Sequence, residues 1–353
     1  MNILRKKNSM LILFSIFLGS CTSPKNNEKL WVGTYTNGTS DGVYVVDVNS
    51  PKLKSTLEYT IDNPSYMDFN KDLVAMVSEN KEGGVALSNK SGEIALRFSS
   101  HGSYPCYIAI SPQALKIAYA NYVGGNVVVY DRKSKQSKVY HQEGTGPVLD
   151  RQEASHMHCV TWGKDDNTIF TIDLGSDQLM MHSFIEKNVP DRLVFRFHPG
   201  KGPRHMLWSR DHQFALVVTE LSNEIYILAW DEERKIFIQT DVVKANQGVI
   251  SPTYVAAVKM SKDEKYVYVS NRGENSIVRF SLDRETLKLN DPVWTNTEGN
   301  FPRDFAISKD GKKMAVANQK DGGVTLFDID NKGIPHFTGK RIQLDQPVYV
   351  RFR

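Results

Sequence analysis

The stretch from Gly200 to Asp231, GKGPRHMLWSRDHQFALVVTELSNEIYILAWD, decides the fold because it contains one complete copy of a pattern that recurs along the chain. A short apolar segment follows Pro203, a polar turn leads to a second apolar segment, and a third follows another polar turn. Short apolar runs bounded by Gly, Asn, Asp and Ser are typical of β-strands joined by tight turns. The stretch is therefore predicted to form consecutive antiparallel strands.

The opening segment of this pattern occurs seven times. The copies are NPSYMDFNKD from Asn63, SYPCYIAISP from Ser103, SHMHCVTWGKD from Ser155, GPRHMLWSRD from Gly202, SPTYVAAVKMSKD from Ser251, FPRDFAISKDG from Phe301 and QPVYVRFR from Gln346. A period of about 40–50 residues is typical of radially repeated β-sheets.

The second segments support the same period. They end at Glu79, Asn121, Asp173, Glu220, Asn271 and Asn318, which are 42, 52, 47, 51 and 47 residues apart. No second segment follows the last opening segment, but a matching one, LWVGTY, begins at Leu30. One blade shared by the two chain ends would close the ring and hide the sheet edges.

These repeats predict an all-β fold, a seven-bladed β-propeller of four-stranded antiparallel blades that forms one domain over residues 30–353. No helical periodicity of useful length competes with this interpretation. Two stacked β-sandwiches are the alternative, but they do not explain why the repeat is permuted. With 353 residues, 40% of them hydrophobic, the chain can bury a large core.

The N-terminus carries a targeting signal. Arg5, Lys6 and Lys7 precede an apolar run from Met10 to Leu18 that is too short to span a bilayer, so residues 1–20 are predicted to be a signal peptide. The sequence LGSC that ends at Cys21 resembles a bacterial lipobox. We therefore expect a lipid on Cys21, a polar tether over residues 21–29, and a membrane-anchored, periplasmic or outer-membrane protein of the cell envelope. An ordinary signal peptide is the alternative.

Charge and cysteine content exclude several classes of protein. Removal of the signal peptide lowers Lys+Arg from 44 to 41 against 40 Asp+Glu, and no polybasic stripe remains, so no nucleic acid is expected as a partner. Cys106 and Cys159 are too few for a disulfide framework and lack a CxxC spacing, so they are expected to be buried thiols. The oligomeric state is left open.

Opposite charges meet at one end of the predicted channel. The first two strands of a blade are antiparallel neighbours, so the start of the first and the end of the second lie on one face of the disc. Arg204 starts a first strand and Glu220 ends the second strand of the same copy. Both are therefore expected at one mouth of the central channel.

Neighbouring copies add polar residues to this mouth. The preceding copy has His156 and His158 at the head of its first strand, where alternation places both on one side. The following copy ends its second strand at Asn271 and Arg272. Propeller stability does not require such a concentration, so it predicts a functional site.

Each residue alone also has a structural explanation that stays open. Glu220 would stabilise a turn, as polar residues do at the ends of the other second strands. An arginine would pair with a nearby carboxylate such as Glu220 or Glu274, and His158 would be a hydrogen-bonded strand histidine. His205, beside Arg204 but of opposite strand parity, is expected to be a strand histidine outside the site.

Other chemistry finds little support in the sequence. There is no P-loop, no GxGxxG after a strand and no GxSxG elbow. The HMH sequence at 156–158 would begin a metal site, but no second pair of ligands stands out, and neither metal nor cofactor is predicted. The glycine pairs that include Gly83, Gly124 and Gly322 are expected in hairpin turns.

The chain carries VGTYT, ANYVGGNV, RQEASHMH, GKGPRHMLW, VVTELSNEI, YVYVSNRGENSIVRF and FPRDFAISKDGKKMAVANQKDGGV. In these motifs it resembles the lactonase family of seven-bladed propellers, which includes bacterial propeller-type 6-phosphogluconolactonases and fungal carboxy-cis,cis-muconate lactonizing enzymes. The similarity extends over nearly the whole chain after the signal peptide. WD and Kelch propellers do not carry these motifs.

The resemblance implies hydrolysis of a sugar-type lactone by water attacking the ring carbonyl. Its implied catalytic residues are Glu220, His156, His158, Arg204 and Arg272, and its implied substrate-binding residues are Arg204, Arg272, Asn271 and Gln152. Glu220 is the first choice of general base and His156 the second. The two arginines would bind the oxyanion or an anionic group of the substrate.

Two other functions stay open at this point. A lactonizing cycloisomerase would move a proton to a carbanion with the same groups. A propeller anchored at the surface would bind a glycan or a protein and catalyse nothing. The chain departs from the family pattern at Met157, Tyr107 and Ala257, which are expected on or near the rim of the channel.

Overall fold

The structure of the protein is a computed structural model. It describes residues 28–71, 73–89, 92–184, 191–248, 252–321 and 323–353. The predicted signal peptide, Cys21, most of the tether and Gly322 lie outside these residues. The described chain forms seven antiparallel sheets of four strands each, arranged as the blades of a propeller, which confirms the predicted fold. Within these parts of the chain, no helix is long and apolar enough to span a bilayer.

The blades follow the chain, and each begins with the strand next to the channel. Blade 1 contains β4 (Met67–Asn70), β5 (Leu73–Ser78), β6 (Gly84–Ser88) and β7 (Ile94–Ser99); blade 2 contains β8 (Pro105–Ile110), β9 (Lys116–Asn121), β10 (Asn126–Asp131) and β11 (Gln136–His141). Blade 3 contains β12 (Met157–Trp162), β13 (Thr168–Asp173), β14 (Gln178–Ser183) and β15 (Arg192–Arg196). The described turns with Gly83 and Gly124 join second to third strands, as expected.

The remaining sequential blades have the same order. Blade 4 contains β16 (Pro203–Trp208), β17 (Phe214–Thr219), β18 (Glu224–Asp231) and β19 (Ile236–Lys244); blade 5 contains β20 (Tyr254–Met260), β21 (Tyr266–Arg272), β22 (Ser276–Asp283) and β23 (Lys288–Asn296). Blade 6 contains β24 (Pro302–Ile307), β25 (Lys313–Asn318), β26 (Gly323–Ile329) and β27 (Pro335–Gln343).

Blade 7 joins the two ends of the chain. It contains β28 (Pro347–Phe352), then β1 (Lys29–Thr34), β2 (Gly42–Asp47) and β3 (Ser55–Thr60), which confirms the predicted permutation. Lys29 and Arg353 exchange two backbone hydrogen bonds of 2.8 Å. The expected tether end at residue 29 is therefore too late, because Lys29 is already paired and the buried Glu28 accepts a hydrogen bond from Lys309 N.

The hydrophobic core consists of seven clusters, one between each pair of neighbouring blades. Met157 packs in the cluster between blades 2 and 3, and Ala257 packs in the cluster between blades 5 and 6. Both side chains thus pack in the core between blades, although each is a sequence neighbour of residues at the mouth. Cys106 and Cys159 are buried free thiols, and burial raises the pKa of Cys159 to about 12.

Candidate active site

A β-bulge at the head of the innermost strands creates the site. In blade 4, Pro203 pairs with Thr219 and His205 pairs with Val218, so Arg204 is an extra residue between two consecutive partners. The same shift makes extra residues of Cys106, His158 and Arg303 in blades 2, 3 and 6. A bulge redirects a side chain and interrupts strict alternation. Predictions made from strand parity therefore fail at this level of the channel.

His205 shows the consequence. Strand parity placed it outside the site, but its Nε2 lies 2.9 Å from Nη1 of Arg204 and its ring centre lies 5.4 Å from that of His158. The expectation that His205 lies outside the site is wrong. The bulge at Arg204 places the side chains of Arg204 and His205 in the same group, beside His158. Burial and the charge of Arg204 hold the pKa of His205 well below its usual range.

The last paired residue of a second strand holds its own turn. Thr219 Oγ1 donates to Glu224 O at 3.2 Å and is 2.7 Å from Ser222 Oγ. Asn271 is the equivalent residue of blade 5, and its Nδ2 donates to Ala245 O at 2.9 Å and to Ser276 Oγ at 3.0 Å. Asn271 is thus buried, and its amide nitrogen holds the turn of its own blade, while its role in substrate binding stays a prediction.

Glu220 lies one residue beyond this turn position. Sequence spacing equated Glu220 with Asn271, but the strand pairing equates Thr219 with Asn271 and Glu220 with Arg272. Since Thr219 stabilises the turn, the carboxylate of Glu220 is available for other contacts. The turn-stabilising alternative for Glu220 therefore does not hold.

Three guanidinium groups surround the buried carboxylate of Glu220. Nε of Arg204 lies 3.0 Å and Nη2 of Arg272 lies 2.7 Å from its Oε2, while Nη2 of Arg151 lies 2.6 Å from its Oε1. Burial alone would raise the pKa of Glu220, but the guanidinium groups outweigh it and hold this pKa well below its usual range. Burial lowers the pKa of Arg272 to about 10, so this arginine is still protonated at neutral pH.

Backbone carbonyls fix the two arginines that were expected at this mouth. Arg204 Nη1 donates to Ala256 O at 2.6 Å, and Arg272 Nη2 donates to Val255 O at 3.0 Å. Gly273 supports this arrangement with a φ of +92°, and a Cβ at this position would lie 2.3 Å from Pro252 O. The NRG sequence therefore requires glycine after Arg272 for steric reasons.

Arg151 replaces its neighbour Gln152 in the candidate site. Gln152 is fully buried, and its Nε2 donates to Leu174 O and to Asp177 Oδ2, both at 2.9 Å. Its side chain holds the loop, and its role in substrate binding stays a prediction. Arg151 instead contacts Glu220 and donates to Tyr122 OH at 3.2 Å.

The two expected histidines share Tyr122 as a neighbour. The ring of His156 stacks on Tyr122 at 4.5 Å, with Nδ1 3.1 Å from Tyr122 O and Nε2 3.0 Å from Glu153 Oε1. The ring centre of His158 lies 5.5 Å from that of Tyr122. Burial and the charge of Arg204 hold the pKa of His158 well below its usual range, so this imidazole is neutral at pH 7.

A second carboxylate and a fourth arginine belong to the same mouth. Arg303 is the bulged residue of blade 6, and Glu79 follows the second strand of blade 1 as Glu220 does in blade 4. Nη2 of Arg303 lies 3.9 Å from Glu79 Oε1, and Tyr35 OH donates to Glu79 Oε2 at 3.1 Å. Sequence reasoning missed Arg303, although its PRD sequence repeats the PRH sequence around Arg204.

Aromatic rings close the channel beneath these charges. Tyr66 stacks on Tyr107 at 4.0 Å, and both rings meet His205 edge to face at 5.9 and 5.3 Å. A cavity of about 580 Å³ lies below Tyr66 and Tyr107 and extends to the far ends of the innermost strands, including Trp208 and Lys259. The charged mouth thus has an aromatic floor, to which Tyr107 belongs.

The chain matches the family described as lactonase, 7-bladed beta-propeller, over residues 29–352. It is 31% identical over 341 residues to the 6-phosphogluconolactonase of Bacillus subtilis (strain 168), with 91% of this chain and 97% of that protein covered. The family match extends through every blade that contributes to the mouth.

Solved structures of two similar proteins superpose on nearly the whole chain. The crystal structure of a putative 6-phosphogluconolactonase from Bacteroides fragilis NCTC 9343 superposes with a TM-score of 0.82 at 26% identity and covers 94% of this chain and 99% of that one. A periplasmic gluconolactonase of Pseudomonas aeruginosa gives 0.82 at 26% identity, with 92% and 98% covered.

Proposed function

Since the chain belongs to the family of seven-bladed β-propeller lactonases, we propose that it hydrolyses a sugar lactone at the mouth that holds Glu220 and Arg303. One observation carries the proposal. Four arginines and three carboxylates from separate parts of the chain converge above an aromatic floor, where structural stability gives no reason to collect them.

The arginines suit the charge that develops during lactone opening. When water adds to the ring carbonyl, the carbonyl oxygen becomes an oxyanion, and guanidinium groups fixed in advance stabilise it without reorganisation. Arg204 and Arg272 are fixed by Glu220 and by backbone carbonyls, so they meet this requirement. Glu220 acts by positioning them. Its pKa, held well below the usual range, makes it a weak proton acceptor and removes it as first choice of base.

The histidines have supporting roles in this proposal. Glu153 engages Nε2 of His156, so His156 is not free to accept a proton from the attacking water. His158 is neutral beside Arg204, so it adds no positive charge that would repel the guanidinium group. His158 therefore acts as a neutral spacer between Arg204 and Tyr122.

The charge balance favours an anionic substrate. Arg151, Arg204, Arg272 and Arg303 contribute four positive charges, against three negative charges from Glu79, Glu153 and Glu220. Planar guanidinium groups bind phosphate and carboxylate in a bidentate manner. We therefore propose 6-phosphogluconolactone as the preferred substrate over the neutral gluconolactone.

An assay of both lactones tests the proposal. Purified protein is mixed with δ-gluconolactone or its 6-phosphate, and proton release is followed above the spontaneous rate. We expect hydrolysis of both, with kcat/KM at least about 10-fold higher for the phosphate ester, which corresponds to about 1.4 kcal/mol. Arg272→Ala should lower kcat/KM strongly, whereas Arg234→Ala, which changes an exposed arginine, should not. Absence of catalysed hydrolysis with every lactone would favour a non-catalytic binding protein.

We propose that the protein works in the bacterial cell envelope. The apolar run before Cys21 and the envelope location named for the Pseudomonas aeruginosa gluconolactonase support this proposal. Labelled palmitate should be incorporated into the full chain but not into a Cys21→Ser variant, which should leave the membrane fraction. Equal labelling of both chains would contradict it.

A further inference from the structure

We propose that Glu79 is the proton acceptor for the water that opens the lactone, a role that rests on the proposed function. Glu79 and Glu220 occupy the same position in their blades, directly after the second strand. Blades 1 and 4 lie on opposite sides of a ring of seven. The mouth is therefore flanked by two carboxylates, and their surroundings differ.

The contacts of the two carboxylates separate their roles. Both oxygens of Glu220 are engaged by guanidinium groups at 2.6 to 3.0 Å, and its side chain is 4% exposed. For Glu79, the described ion pair is with Arg303 at 3.9 Å, which is beyond hydrogen-bond length, and the side chain is 13% exposed. Of the four oxygens on these two carboxylates, Glu79 Oε1 is the one without a side-chain partner within hydrogen-bond length among the described residues.

Tyr35 holds Glu79 in place. Burial is the main cause that raises the pKa of Tyr35, so its hydroxyl stays protonated and donates to Glu79 Oε2 at 3.1 Å. This contact occupies Oε2 and leaves Oε1 beside Arg303, at 3.9 Å from its Nη2. A general base needs this kind of fixed orientation together with access to the proton that it removes.

Arg303 links the base to the arginine cluster. Burial opposes its charge, but nearby groups that include the carboxylates of Glu79 and Glu220 hold the pKa of Arg303 above its usual value, so it is always charged. Its guanidinium group also lies 5.4 Å from the ring centre of Tyr35. A cation between Glu79 and the oxyanion-binding arginines would bind the negative charge that forms when water adds.

The proposed step is balanced in atoms and charge. Glu79 removes a proton from water while the water oxygen bonds to the carbonyl carbon, which gives a tetrahedral oxyanion and protonated Glu79. Collapse of the oxyanion re-forms the carbonyl and breaks the bond to the ring oxygen. That oxygen takes the proton from Glu79, so the carboxylate is regenerated and the product is the open-chain hydroxy acid.

Substitution of Glu79 tests this role against Glu82, an exposed glutamate three residues further along the chain. Glu79→Gln should lower kcat for lactone hydrolysis by roughly 10²–10⁴-fold and leave KM nearly unchanged. It should also abolish the acidic limb of the kcat profile against pH. Glu79→Asp should retain part of the activity, and Glu82→Gln should match the wild type.

Chemical rescue distinguishes a lost base from a damaged fold. Formate added to Glu79→Ala should restore at least about 10-fold of the lost rate if a carboxylate is the missing group, and it should not affect Tyr35→Phe. A Glu79→Gln variant that keeps kcat within about 3-fold, or a Glu79→Ala variant that formate does not rescue, would overturn the inference while the proposed function stands. A wild-type protein without lactonase activity would overturn both.

Discussion

Nε of Arg204 donates to Oε2 of Glu220 at 3.0 Å, across the first two strands of blade 4. Arg204 is the bulged residue at the head of β16, and Glu220 is the first residue after β17. Strand pairing alone therefore brings a cation and an anion sixteen residues apart in the chain into contact. The position of each is set by the backbone, so the pair forms without help from a ligand.

Loss of the Glu220 charge should destabilise the propeller. Glu220→Gln leaves three guanidinium groups, two of them buried, without their shared counter-charge. Breaking a buried ion pair by removing one partner costs about 3–5 kcal/mol. Urea unfolding should show a loss of this size, whereas the exposed control Glu82→Gln should change the free energy of unfolding by less than about 0.5 kcal/mol. A loss below about 1 kcal/mol for Glu220→Gln would contradict this account.

Gly273 should be more sensitive to substitution than a glycine with similar backbone torsion. Gly273→Ala forces a Cβ to within 2.3 Å of Pro252 O, whereas Gly311, at φ +74°, has open space around the same position. Backbone strain at such a position costs about 1–3 kcal/mol. Chemical denaturation should show a larger loss for Gly273→Ala than for Gly311→Ala, and only the former should raise KM through Arg272. Equal losses would show that torsion alone matters.

Most of the fold could be predicted from the sequence because the repeat has a physical cause. Each blade needs a strand next to the channel, a tight turn and a second strand of similar length, so polar residues mark the turns at nearly constant spacing. The split blade was accessible for the same reason, since LWVGTY supplies the strand that QPVYVRFR lacks. The start of β1 was missed because Glu28 and Lys29 are polar yet buried or paired.

The site was harder to predict than the fold. Arg204, Glu220 and Arg272 meet as expected, since antiparallel pairing alone brings them to one face. A single-residue bulge is invisible to arguments from alternation, so His205 was misplaced. The sequence also did not show that Arg151, the neighbour of Gln152, contacts Glu220.

Closure of the ring should be essential for cooperative folding. Removal of residues 346–353 deletes β28, whose buried Val348, Tyr349 and Val350 cover β1 and the core between neighbouring blades. Two edges would be exposed, and an unpaired edge favours aggregation. Thermal unfolding followed by circular dichroism should lose its single sharp transition, whereas removal of residues 1–27 should leave it in place. A sharp transition in the protein without β28 would show that six blades suffice.

Acid should destabilise the protein at a pH where carboxylates are still ionised. Burial and Arg204 lower the pKa of His158 and His205 well below 6.5, so the unfolded chain binds more protons than the folded one below that pH. Stability is therefore fully present above pH 6.5 and falls as the pH drops, with a slope of up to about 1.4 kcal/mol per pH unit for each histidine. Burial also lowers the pKa of the half-buried His212.

Urea unfolding between pH 6.5 and 5 measures this slope, because carboxylates with a usual pKa of 4.5 or below are still mostly ionised there. His205→Gln should reduce the slope of stability against pH by the contribution of one histidine, up to about 1.4 kcal/mol per pH unit. Substitution of the exposed His101 by Gln should leave the slope unchanged. An unchanged slope in His205→Gln would mean that the channel histidines are not held neutral by Arg204 and burial.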